Sequence, residues 1–284
     1  MQLGISTWVW TSPASDEVLA RLIPRIGEMG YDVVEIPVEN LGQFDVAEAR
    51  RLADAAGLAI SICAVIGGGR DLLLDEEVEA GLAYLRGCID IAQQVGSPAV
   101  AGPFYSAVGR CWRLAPEERE REIDRLAERL RELGEYAAQR GVELGIEPLN
   151  RFETSFMNTT AQTLELVQRV NHPAVGLALD MFHLGIEEKS LGAAIRLAKG
   201  QVKHVQVAEN DRGTPGTGQL AWDEVAEALR EIGYDGRVVI ETFSDRVEAI
   251  ARAAAIWRPL APDSDTLATE GLAFLRELFR EGGT

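Results

Sequence analysis

Short β-rich runs and longer amphipathic segments alternate along this chain from end to end. The strand candidates are LGISTW, DVVEIPV, AISICAVI, PAVAGPF, VELGIEPL, VGLALDMFH, VKHVQVAE and GRVVIETF. In each, apolar residues recur at every second position or run unbroken, as buried strands require. Between them, segments such as VLARLIPRIGEMG, EVEAGLAYLRGCIDIAQQVG, RLAERLRELGEYAAQRG and WDEVAEALREIGYDG carry the helical period. Gly30, Gly57, Gly96, Gly141 and Gly233 stand just ahead of strand candidates, where a helix is expected to stop. Strands alternating with helices imply a parallel sheet with crossovers. Eight such units over residues 1–284, with no linker, predict an α/β fold: one (β/α)8 barrel domain. An open doubly wound sheet is the alternative, but no GxGxxG follows the first strand. Residues 244–262 read as a last excursion before a final helix, SDTLATEGLAFLRELFREG.

A barrel sets a rule for chemistry: reactive groups belong at the C-terminal ends of its strands. The last four strand candidates obey one pattern. Leu144 and Ile146 share a face and the other ends in Glu147; Leu177 and Leu179 share a face and the other runs Gly176, Ala178, Asp180. Val205 and Val207 flank Gln206, and Val238 and Ile240 lead to Glu241. Because strand side chains alternate, apolar pairs that pack beneath helices turn the intervening residues inward. Small Gly145, Gly176 and Ala178 are expected to leave room there. Three carboxylates converging in an apolar interior cannot all stay ionised without a compensating charge. A divalent cation supplies it, with Glu147, Asp180, Gln206 and Glu241 as an all-oxygen ligand set suited to Mn²⁺, or to Mg²⁺ or Co²⁺. His204 then sits one layer below, as a supporting or core group. The plain alternatives are a surface ion pair for any one glutamate and a hydrogen-bonded core amide for Gln206.

Composition narrows the class. Hydrophobic residues make up 46% and charged residues 26%, and 28 Lys+Arg against 45 Asp+Glu leave a net charge of −17. Such a surface repels phosphate backbones and anionic lipid, so neither nucleic acid nor membrane is an expected partner. No apolar run reaches a membrane span and the N-terminus lacks a signal-peptide pattern. Three scattered cysteines, Cys63, Cys88 and Cys111, make no disulfide framework, and a cytoplasmic location is expected. The NDRGTPGTG stretch lacks lysine and reads as a turn rather than a phosphate site, and His172 as a loop residue.

At these residues the chain resembles a known family. GIEPLNRFET, LALDMFHLGIEE, HVQVAENDRGTPGTGQLAWDEVAEALREIGYDG and VVIETF look like the D-tagatose/D-psicose (allulose) 3-epimerases of the xylose-isomerase-like TIM-barrel superfamily. The likeness runs from ISICAVIG to GLAFLRELF. It implies an isomerase acting on a free ketose, by 3-epimerisation through a metal-stabilised enediolate. Glu147 and Glu241 would be both ligands and the two acid/base groups, and Asp180 a ligand only. Glu153 would hold the O1 end of the sugar, His183 and Arg212 its C1–C3 oxygens, and Trp112 with TWVW would wall the pocket. Homodimers or homotetramers are implied by the same likeness. The epimerases carry histidine where this chain has Gln206, and hydroxypyruvate-isomerase-like relatives carry glutamine. Aldose–ketose isomerisation is therefore one alternative, and a metal-dependent lyase of the inosose-dehydratase or C-glycoside-cleaving type another. A DNA-repair nuclease would need more than three histidines and a basic groove, and a non-catalytic barrel would not keep this set of polar residues.

Overall fold

Eight parallel strands pair in chain order and close into a barrel in the computed structural model, which describes residues 1–280. They are β1 Gln2–Ser6, β2 Val33–Val38, β3 Ala59–Ala64, β4 Ala99–Gly102, β5 Glu143–Ile146, β6 Val175–Asp180, β7 Val202–Val207 and β8 Arg237–Ile240. The ring closes where Leu3 and Ile5 of β1 face Val238 and Ile240 of β8. Around it lie α1 Asp16–Met29, α2 Val46–Ala56, α3 Val78–Val95, α4 Pro116–Ala138 and α5 Thr160–Val170. Then come α6 Met181–Glu187, α7 Leu191–Leu197, α8 Trp222–Glu231, α9 Glu248–Ala253 and α10 Ser264–Leu278. The barrel of alternating strands and helices expected from the sequence is the fold observed.

Stability resides between sheet and helices. Ile36, Ile60, Ile62, Leu144, Ile146, Leu177, Leu179, Val205, Val207, Val238 and Ile240 are buried in one continuous core with the helices. Burial of each such side chain contributes roughly 1.5–3 kcal/mol. That layer lets the interior of the barrel be polar. Helices stop where glycine permits it: Gly57 and Gly96 end α2 and α3 at φ 71° and 74°, a left-handed turn that side chains resist.

Three details differ from the sequence expectation. Helix α4 begins at Pro116 rather than in the RLAER run, because the PEERERE stretch is a solvent-facing turn with no apolar period to reveal it. Strand β6 ends at Asp180, whose Oδ1 accepts the N–H of Phe182 at 2.9 Å and starts α6 at once. The small inward residues of β5 and β6 leave no room: a Cβ on Gly145 would stand 3.2 Å from that of Ala178, and one on Gly176 2.2 Å from the Gln201 carbonyl. Their smallness lets neighbouring groups approach. Helix α10 is described to Leu278, and Glu281 and Gly282 of the expected final helix lie outside the described residues. Among the described residues no helix is long and apolar enough to cross a membrane.

Strand β7 carries a bulge. Its pairing with β6 jumps from Leu177↔Val202 to Ala178↔His204, so Lys203 has no opposite number. Above the bulge Asp180 faces Gln206 directly. Lys203 and His204 both line a cavity of about 440 Å³ at the N-terminal end of the barrel, together with Ser61, Glu143 and Arg237.

Candidate active site

Glu147, Asp180, Gln206 and Glu241 are all buried at the C-terminal end of the barrel. Strand geometry delivers each: the N–H of Glu147 continues the ladder onto Gly102 (3.0 Å) and that of Glu241 onto Val207 (3.1 Å). Asp180 and His183 stand one helical turn apart at the start of α6, and therefore on one face. Ligand atoms of Glu147, Asp180 and His183 lie within 4.8 Å of one another. Glu35, Cys63 and Glu241 make a second group of the same tightness.

Two side chains tie the halves together. Arg212 Nη1 donates to Asp180 Oδ2 (2.5 Å) and Glu241 Oε2 (3.0 Å). Gln206 Nε2 donates to Glu35 Oε1 (2.9 Å) and Glu241 Oε1 (2.7 Å). The guanidinium of Arg212 lies over the rings of Phe182 and Phe243, 4.2 and 4.8 Å from their centroids, in cation–π contact. Arg212 reaches this place from a left-handed backbone, φ 67°. Glu209 fixes that loop: its carboxylate accepts N–H groups from Asn210, Gly216, Gln219 and Leu220, and from the indole of Trp222.

The electrostatics follow from burial. Glu147 binds its proton far more tightly than an ordinary carboxylate, because it is desolvated and faces Glu241 and Asp180. Burial also pushes Glu241 up, to about 8; Arg212 opposes that and Asp180 and Glu35 add to it. His183 is held neutral, by burial and then by Arg212. The backbone N–H of Asn150 donates to its Nδ1 (3.0 Å), while its Nε2 lies 3.1 Å from Arg212 Nη2 and 3.5 Å from Glu147 Oε1. Asn150 also donates its side-chain amide to Glu153 (2.8 Å), linking Glu153 to this cluster.

Of the residues expected at the site, Glu147, Asp180, His183, Gln206, Arg212 and Glu241 form one buried contact network. Glu153 joins it through Asn150. Trp112 stacks on Phe156 (5.7 Å) beside a separate cavity lined also by Leu114 and Arg119, which none of the carboxylates lines. In the TWVW stretch, Trp8 packs on Phe243 (5.4 Å), whereas the indole of Trp10 bonds Asp265. Sequence reasoning passed over Glu35, Cys63, Asn150 and Glu209. Glu35 had a signal: a lone carboxylate in the middle of an apolar strand, DVVEIPV.

The residues present fit a divalent cation. Carboxylate oxygens supply hard donors, and Gln206 Oε1 is buried with no hydrogen-bond partner.

A parallel barrel with carboxylates at successive strand ends defines a class, and residues 23–278 match the family described as xylose isomerase-like TIM barrel. The chain belongs to that family. It is 32% identical to a probable ketose 3-epimerase of Synechocystis sp., over 99% of this chain and 97% of that one. The structure of an L-ribulose 3-epimerase superposes with a TM-score of 0.92 at 29% identity, covering 98% of this chain and 94% of the other. A D-allulose 3-epimerase from Methylomonas sp., in complex with D-allulose, gives 0.90 at 28% identity, covering 98% and 96%. The enzyme class expected from the sequence, isomerase, is the class these relatives carry.

Proposed function

We propose that this chain is a divalent-cation-dependent ketose 3-epimerase built as one barrel domain, with a free ketose as substrate. Glu147, Asp180, Gln206 and Glu241 would hold the ion, with Mn²⁺ preferred for an all-oxygen set. When bound there, the ion would polarise the oxygens flanking C3 and make the C3 proton acidic. Glu147 and Glu241 follow β5 and β8 and are both buried at the site. One removes the C3 proton and the other returns it on the opposite face, which inverts the centre. His183 and Arg212 would hydrogen-bond the sugar oxygens; Glu153, braced by Asn150, would hold the O1 end. Trp112 is assigned to the outer wall of the entrance.

One observation supports the reading: Glu147 and Glu241 are both buried at strand ends of an epimerase-like barrel, where Arg212 donates to Asp180 and Glu241. The test is Mn²⁺-loaded protein incubated with free ketoses in D₂O. Deuterium at C3 with unchanged carbon skeleton and mass balance is the expected result. Deuterium at C1 or C2 with an aldose product would make it an aldose–ketose isomerase, and loss of water or of an aglycone a lyase. No exchange with any ketose would remove the epimerase reading.

A further inference from the structure

Glu35 has no part in the chemistry just described, yet it lies fully buried in the barrel interior. A carboxylate is kept in such a place only by strong partners. Two groups of β7 meet it: Gln206 Nε2 donates to Oε1 at 2.9 Å, and His204 Nε2 lies 2.7 Å from Oε2, in ion-pair range but without hydrogen-bond geometry. The second N–H of that amide goes to Glu241 Oε1 at 2.7 Å. Both donors of Gln206 are thus taken by carboxylates. Turning the amide over would press its carbonyl oxygen against two carboxylate oxygens, so only one orientation is allowed. In that orientation Oε1 is buried without a partner. An unpaired buried acceptor is costly to maintain, and a cation is a partner that would satisfy it.

We propose that Glu35, braced by His204, is a positioning residue that engages the amide nitrogen of Gln206 and thereby presents Gln206 Oε1 as a ligand for a hard divalent cation. This rests on the reading of Gln206 as a ligand given above. It also accounts for an imidazole and an amide side by side in one strand: His204 holds the holder. A histidine at position 206 would present a ring nitrogen instead, whereas an amide has two ends that must be told apart.

Two variants separate orientation from charge. Glu35→Gln and Glu35→Met both remove the negative charge, but only the first keeps an oxygen that can accept from Gln206. Mn²⁺ affinity, read by EPR or calorimetry without substrate, should fall about tenfold or more in Glu35→Met and stay within about threefold in Glu35→Gln. Wild-type affinity in both variants, or equal weakening in both, overturns the proposal. Should Glu35→Met fail to fold, ¹⁵N-glutamine-labelled wild-type protein decides. The Gln206 amide signals, assigned by their loss in Gln206→Glu, should show two protons that exchange slowly with solvent; exchange at the rate of a free amide overturns it. Wild-type protein that takes up no Mn²⁺ would sink the ligand assignment and this inference together. Mn²⁺ binding by wild type with undiminished binding by Glu35→Met would sink this inference alone.

Discussion

The backbone N–H of Asn150 donates to Nδ1 of His183 across 3.0 Å, and Arg212 Nη2 stands 3.1 Å from the other ring nitrogen, Nε2. Burial and the neighbouring Arg212 hold the ring well below its ordinary 6.5. His183 should therefore give ¹⁵N signals of a neutral ring that does not titrate between about pH 5 and 8. The sign for stability follows: below 6.5 the unfolded chain binds a proton that the folded chain refuses, so this residue lowers stability as pH falls.

Glu147→Gln or Glu241→Gln preserves shape and removes the proton acceptor. Each should lower kcat for C3 exchange by about 10²–10⁴-fold, with the thermal transition still cooperative. Either variant retaining near-wild-type turnover would end the two-base scheme.

In metal-free protein the same two glutamates bind protons more tightly folded than unfolded. Their contribution to stability is complete below the ordinary 4.5 and disappears as pH rises through about 8 for Glu241. Urea unfolding of the metal-free protein should show stability falling from about pH 4.5 to about pH 8, with a shallower slope in Glu241→Gln.

Arg212 is the positive charge between Asp180 and Glu241. Replacing it by methionine leaves those carboxylates opposed, and the metal-free protein should lose about 3–5 kcal/mol of stability. Mn²⁺ at about a hundred times its Kd should return about 2.7 kcal/mol. Calorimetric melting with and without the ion checks both values.

Gln206→His would exchange an amide oxygen for a ring nitrogen. Competition binding should then move toward Co²⁺ and Zn²⁺ relative to Mn²⁺ by about tenfold. An unchanged order of preference would show that position 206 does not set it.

Much of this was legible in the sequence because two simple periods govern it. Alternation in VELGIEPL and VGLALDMFH puts Glu147 and Asp180 in the interior whatever the loops do. Glycine after α1, α2 and α3 marks where strands resume. What stayed hidden depends on contacts distant along the chain. That Arg212 lies between Asp180 and Glu241 follows from the Glu209-centred loop, whose hydrogen bonds link residues seven to thirteen positions away. Glu35 belongs to a strand far from the four that drew attention, and meets Gln206 only because the barrel closes. The stacking of Trp112 on Phe156 likewise joins separate loops.

The unpaired Lys203 sets the phase of β7. Strand β7 enters with Val202 opposite outward-packed Leu177 and continues with His204 opposite Ala178. Were Lys203 to pair with Ala178 instead of bulging out, His204 would fall opposite Leu179 and the two faces would exchange, placing valines among the acids and the imidazole and amide beneath a greasy helix. A one-codon deletion of Lys203 should therefore be tolerated better than a one-codon insertion after His204, because the deletion keeps His204 opposite Ala178 whereas the insertion turns Gln206 away from Asp180.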